Sequence, residues 1–107
     1  MPKRTQQDHL IAIHPGEYLR EDYLAALGMS ANALAIALRV PATRIVEITN
    51  ERRGISTDTA FRLSLFFGTT PEFWINMQKA YEVAVARKEL LPQLRKEVKR
   101  HVAREGR

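Results

Sequence analysis

The twenty residues ANALAIALRVPATRIVEITN, Ala31 to Asn50, constrain the fold more than any other part of the chain. Ser30 just before them is a good helix N-cap, and Leu34, Ala35 and Leu38 then fall on one side of a short helix. A turn is expected at Arg39, Val40 and Pro41, followed by a helix from Ala42 to Asn50 with Ile45 and Ile48 inward. Two short helices joined by a tight turn are the pattern of a helix-turn-helix. Counting from Ala31, the apolar residues Leu34, Leu38, Val40, Ile45 and Ile48 fall where that motif packs. Ala35 falls where its two helices come closest and a larger side chain would separate them.

Helical punctuation continues on both sides. Pro15 and Gly16 can open a first helix, with Leu19, Tyr23, Leu24 and Leu27 at helical spacing and Gly28 as a left-handed end. Ser56 caps a fourth helix, Asp58 sits in its first turn where an acid is favoured, and Ala60, Leu63 and Phe67 form its inner stripe up to Gly68. Thr70 and Pro71 start a fifth, with Phe73, Met77, Tyr81 and Ala84 on its apolar face. Pro92 predicts a break, because it lacks an amide hydrogen and disfavours helical geometry in the residue before it. Beyond it QLRKEVKRHVAR can resume as a helix with a Leu94, Val98 and Val102 stripe, although its other faces are nearly all charged. The expected fold class is all-α: an N-terminal arm over residues 1–13, a five-helix domain over 14–91 and a basic C-terminal helical extension over 92–107.

Charge is unevenly placed. The chain carries a net +5, and residues 87–107 hold eight lysines and arginines against three acids. Residues 31–62 hold five arginines against three acids, whereas residues 1–30 are mildly acidic. Basic blocks suit phosphate partners, but a charged tail is also simply soluble. The absence of cysteine excludes disulfides and thiolate metal sites and fits a reducing cytoplasm. MPKRTQQDHL lacks the apolar run of a signal peptide, and no stretch approaches the roughly 20 apolar residues of a membrane span. The expected location is therefore cytoplasmic.

Catalytic and metal chemistry find little support. His9, His14 and His101 stand apart from one another and from any carboxylate ligand set, so no metal site or cofactor is expected, and solvated or capping roles fit them better. There is no nucleophile elbow, phosphate loop or cysteine nucleophile, and an enzyme is not expected. What stands out is the outer face of the third helix: Thr43, Arg44, Glu47 and Asn50, with Arg52 and Arg53 beyond. An ordinary helical hairpin explains the apolar positions equally well but gives no reason for this polar set, whereas DNA recognition does.

Three segments together resemble the HigA family of antitoxins, also called VapI, which are lambda-repressor-like helix-turn-helix proteins. They are HPGEYLREDYLAALGMS, ALRVPATRIVEITNERRGIS and TDTAFRLSLFFGTTPEFWINMQKAYEV, covering roughly His14 to Val83. The resemblance implies a five-helix DNA-binding domain acting as a homodimer on double-stranded operator DNA. It also implies repression of the protein's own operon and neutralisation of a HigB-like, RelE-like mRNA interferase toxin. A stand-alone regulator without a toxin, and an antidote that binds protein but not DNA, are the competing readings. A neighbouring small basic reading frame would separate the first from an antitoxin.

Under the DNA reading Thr43, Glu47 and Asn50 reach base edges, Val46 touches a thymine methyl, and Arg44 reads a guanine or holds a phosphate. Asn32, Arg52, Arg53 and Thr57 hold phosphates, which fixes register rather than sequence. Glu17, Glu21 and Asp22 form an acidic face on the first helix, either simply solvated or a landing surface for a basic toxin. Trp74 and Tyr81 are the candidates for a dimer interface, with Trp74 alternatively in the core. The chain departs from the family where Arg39 and Glu51 stand at positions usually occupied by glycine. A left-handed backbone at Arg39 would cost about 1 kcal/mol or more, whereas at Glu51 the fold is expected to survive with a different loop geometry and local charge. The basic tail lies outside the shared pattern, and both DNA attraction and plain solubilisation remain open for it.

Overall fold

In the computed structural model, residues 12–103 are described, and among them every regular element is helical. The first helix, α1, spans residues 15–27; α2 is Ala31–Leu38, α3 Ala42–Thr49, α4 Thr57–Phe67, α5 Pro71–Glu89 and α6 Leu91–Glu97. The five expected helices and a helical extension are thus present. Most of the expected arm, His9 included, lies outside the described residues, as do residues 104–107 of the tail.

The ends of the helices follow the residue chemistry. Ser30, Ser56 and Thr70 each accept a backbone N–H from the third residue along. Gly28 and Gly68 end α1 and α4 at φ of 63° and 75°. Arg39 and Glu51 do the same for α2 and α3, both at φ 62°. Each is locked by a paired C-terminal bond: Val40 N–H to the Ala35 carbonyl at 3.0 Å, and Arg52 N–H to the Glu47 carbonyl at 2.8 Å. The left-handed backbone expected at Arg39 is therefore present, and Glu51 takes one as well, which the sequence reading does not place there.

Helix α1 departs from regular spacing. Between Leu19 and Leu24 it widens into a π-helix, and the Ala25 N–H bonds the Arg20 carbonyl. The wider turn makes residues five apart face the core, so Leu19 and Leu24 are buried. Leu27, expected inward, is instead 59% exposed, because the register has rotated beneath it.

The core gathers Leu19, Leu34, Ile45, Ile48, Leu63 and Trp74, none of which retains exposure. Trp74 sits among Tyr18, Tyr23, Phe67 and Phe73, with ring centroids 5.1–6.3 Å away, and donates its indole N–H to Thr69 Oγ1 at 2.8 Å. This overturns its assignment to a dimer surface: a fully buried ring has no face left for a partner. Tyr81 is half-buried and presents its ring edge-on to His14.

The helix break comes where Pro92 demands it, between Glu89 and Leu91, with Pro92 accommodated in the first turn of α6. α6 then lasts seven residues, and Val98 is extended at φ −105°, ψ 117°. The Leu94, Val98 and Val102 stripe is therefore not a single helix face. It does not dock on the domain either, since residues 92–103 are all exposed. Of the seven residues of α6 only Leu91 is half-buried, so little packing sustains the helix.

One contact ties the N-terminus to the motif. Gly16 lies so close to α3 that a Cβ there would sit 1.7 Å from the Ile48 carbonyl oxygen. Beside it, buried His14 caps α1 by accepting the Gly16 N–H on Nδ1 at 2.8 Å. Burial lowers the imidazole pKa below its ordinary 6.5, and Arg20 adds to this, while Glu51 and Glu17 oppose it. The unfolded chain therefore binds this proton at a higher pH than the folded chain does. His14 leaves stability intact above the ordinary value and erodes it as pH falls through 6.5 toward the depressed folded value. The thermal midpoint is expected to drop between about pH 7.5 and about pH 5.5. His14→Asn, which keeps a cap acceptor but does not titrate, should flatten that slope; equal slopes in calorimetric scans of the two proteins would refute the assignment.

Candidate nucleic-acid interface

The two faces of α3 are sharply different. Ile45 and Ile48 are completely buried, whereas Thr43, Val46 and Asn50 are exposed and Glu47 is half-buried. These four stand on one side of the helix, at spacings that bring residues three and four apart together. Asn50 is the C-cap rather than a helical residue, at φ −88° and ψ 6°, so it lies at the end of the face. Thr49 is buried, and its hydroxyl bonds back to the Val46 carbonyl at 3.1 Å.

The expected phosphate contacts surround this face. Asn32 is exposed in the first turn of α2, and Thr57 is the exposed first residue of α4. Arg52 and Arg53 are exposed in the loop after α3. That loop is pinned from behind: the Ile55 N–H donates to Gln78 Oε1 at 2.8 Å, and Gln78 in turn donates to Glu82 at 2.9 Å. Ile55 itself is buried, so the loop is anchored by both an apolar and a polar contact.

Sequence reading missed how the arginines are held. Arg53 Nε donates to Glu47 Oε1 at 2.9 Å, and its Nη2 lies 2.8 Å from the same oxygen as an ion pair. Arg44 is not an unattached reader: its Nη1 donates to Asp58 Oδ2 at 2.7 Å, where Arg62 Nε also donates at 2.9 Å. The Arg62 and Arg44 guanidiniums hold the Asp58 carboxyl below the ordinary carboxylate range. Arg52 has no ion pair among the described residues. Only the i, i+4 spacing of Asp58 and Arg62 was visible in the sequence as a signal for any of these pairs.

Arg20 connects the acidic face of α1 to this region. It pairs with Glu21 at 2.9 Å and with Glu51 at 3.4 Å, and it donates to the Thr49 carbonyl at the end of α3. Glu21 is exposed, Glu17 and Asp22 are half-buried, and all three lie on α1. Among the described residues no group of three histidine, cysteine or carboxylate side chains is placed to hold a metal ion, and no helix is long and apolar enough to cross a membrane.

No protein-family model matches the chain. It is 52% identical over 80 residues to virulence-associated protein I of Dichelobacter nodosus, covering 75% of this chain and 74% of that one. In structure it is similar to the Pseudomonas aeruginosa antitoxin HigA solved with the higBA promoter. That match has a TM-score of 0.82 and 41% identity, over 85% of this chain and 99% of that one. It is also similar to antitoxin GraA in complex with its operator, with a TM-score of 0.81 and 40% identity over 96% and 99% of the two chains. The fold, the helix-turn-helix and these likenesses agree: the chain belongs to the HigA/VapI family of helix-turn-helix antitoxins and regulators.

Proposed function

We propose that this protein is the antitoxin of a type II toxin–antitoxin pair, which binds operator DNA as a homodimer, represses its own operon and neutralises a HigB-type mRNA interferase. The observation that carries the DNA part is the two-sided α3: fully buried isoleucines on one face, and Thr43, Val46, Glu47 and Asn50 presented on the other. The two relatives solved on a promoter and an operator support it. In this reading α3 enters the major groove. Glu47 accepts from a cytosine amino group, Asn50 and Thr43 bond base edges, and Val46 meets a thymine methyl. Arg52, Arg53, Asn32 and Thr57 hold phosphates around it. The exposed Arg95, Lys96, Lys99 and Arg100 of the tail add attraction without sequence preference.

On a duplex from upstream of its own gene, Thr43→Ala or Glu47→Ala is expected to cost about 1–3 kcal/mol and to relax preference at one base pair per half-site. Arg52→Ala should weaken all DNA alike and reduce the salt slope by about one. Titrations by fluorescence anisotropy in which Glu47→Ala loses nothing would remove it from the base-reading set.

The homodimer rests on exposed apolar surface at the C-terminal end. Val83 on α5, Leu90 between α5 and α6, and Leu94 on α6 are 40%, 49% and 36% exposed, and they stand here in place of the buried Trp74. A second copy covering them would set the two α3 helices about 34 Å apart, one turn of DNA. Leu90→Asp with Leu94→Asp is expected to give a monomer by light scattering, with weaker operator binding. Leu65→Asp, at an apolar position of α4 that is 84% exposed, should leave the dimer intact. The reverse pattern would move the interface to α4.

For the toxin, the acidic residues of α1 are the supporting surface, since RNA-cleaving partners are generally basic. Coexpressed with the product of an adjacent basic reading frame, the wild-type chain is expected to copurify with it and to relieve growth arrest. Glu17→Lys with Glu21→Lys should lose the partner while keeping DNA binding. Undiminished copurification by that double variant would place the toxin contact elsewhere.

A further inference from the structure

We propose that Asp58 is a positioning residue for DNA discrimination: it holds Arg44 of α3 in a fixed pose and ties it through Arg62 to the end of α2. The proposal rests on the reading of α3 as the DNA-contacting helix. Its geometry is a continuous chain of bonds. Arg44 Nη1 donates to Asp58 Oδ2 at 2.7 Å, Arg62 Nε donates to the same oxygen at 2.9 Å, and Arg62 Nη1 donates to the Leu38 carbonyl at 2.9 Å. Leu38 is the last residue of α2, so the chain spans both helices of the helix-turn-helix by way of α4.

The arrangement orients a side chain that would otherwise sample many rotamers. Arg44 commits one of its five N–H donors to Asp58 and keeps the rest, with its side chain 29% exposed. A guanidinium fixed at one corner presents its remaining edge in a defined direction, which is what a forked contact to a base or phosphate requires. Asp58 is itself 55% exposed at the start of α4, next to Thr57. Alone, such a carboxylate would repel the phosphates near it. Shared between two guanidiniums, it leaves the cluster with a net positive charge while constraining where that charge points.

Removing the carboxylate therefore has two opposed consequences that can be read separately. Asp58→Asn adds one positive unit to the face, which favours all DNA alike. It also frees Arg44, which penalises only the sequence that needs Arg44 in place. The experiment uses the full chain and two duplexes of equal length: one enriched from a random pool by the wild-type protein, and a scrambled one. Affinities are measured by fluorescence anisotropy, with circular dichroism melts for every variant. Asp58→Asn is expected to bind the scrambled duplex at least as tightly as wild type, while the ratio of enriched to scrambled affinity falls about tenfold, the scale of one lost directional contact. Asp58→Glu, which keeps the charge and can still reach a guanidinium, should recover part of that ratio. In an Arg44→Ala background, Asp58→Asn should change the ratio no further. Asp58→Ser, a residue suited to a helix start, serves as the second variant if the amide weakens the fold.

An unchanged ratio in Asp58→Asn and Asp58→Ser overturns the proposal. So does a parallel loss of affinity for both duplexes that tracks a lower melting temperature, since that is a brace for the fold and nothing more. A wild-type protein that enriches no sequence from the pool overturns the DNA reading itself, and the proposal with it.

Discussion

The pose of α3 depends on a backbone contact made by a residue with no side chain. Gly16 meets the Ile48 carbonyl at a separation that no other residue allows, and this sets α1 directly against the C-terminal turn of α3. Three neighbouring groups then complete the joint. His14 caps α1 from a buried position, Arg20 reaches the Thr49 carbonyl, and Glu51 answers Arg20 from the loop that follows α3. A helix C-terminus carries unpaired carbonyls and partial negative charge, so a guanidinium placed there satisfies both requirements at once. The polar face of α3 is held at one angle because its far end cannot rotate past α1.

Around that face the arginines are tethered rather than loose. Exposed ion pairs of this kind contribute little to stability, so holding the fold together is a weak account of Arg53 on Glu47 or Arg44 on Asp58. Direction is a better one. Each tether removes rotamers from a long side chain before any ligand arrives, which lowers the ordering cost on binding. Arg52, with no ion pair among the described residues, differs from its neighbour Arg53 in this respect. Two adjacent arginines thus have different physical characters, one pre-set and one adaptable.

Most of the local structure was legible in the sequence, because helix ends are decided by nearby residues. Ser30, Ser56, Thr70 with Pro71, and the two glycines at 28 and 68 act within four positions of themselves. Arg39 was legible too, through the glycine it replaces, whereas the left-handed backbone of Glu51 was not. The failures all involve distance or register. Nothing in LREDYL announces a π-turn, and the turn moved Leu27 out of the core. Phe73 and Trp74 are adjacent, and only the ring cluster built by α1 and α4 decides that the indole is the fully buried one. At the interface the types of residue were readable but their pairings were not. Arg20 and Thr49 are 29 positions apart, and the partner of Arg44 sits on a different helix.

Glu51 shows how these levels meet in one residue. Its left-handed backbone costs about 1 kcal/mol relative to glycine, a strain that glycine would remove. Yet glycine would also delete the carboxylate that faces Arg20, leaving that guanidinium with Glu21 and the Thr49 carbonyl. The pair is half-exposed and contributes little stability, so the trade is close to neutral for the fold. It is not neutral for the electrostatics. With Glu51 present, Arg20 is matched twice over and projects little positive potential toward the loop. Among the described residues, the charge of this loop left without an ion pair is therefore that of Arg52, just beyond the end of α3.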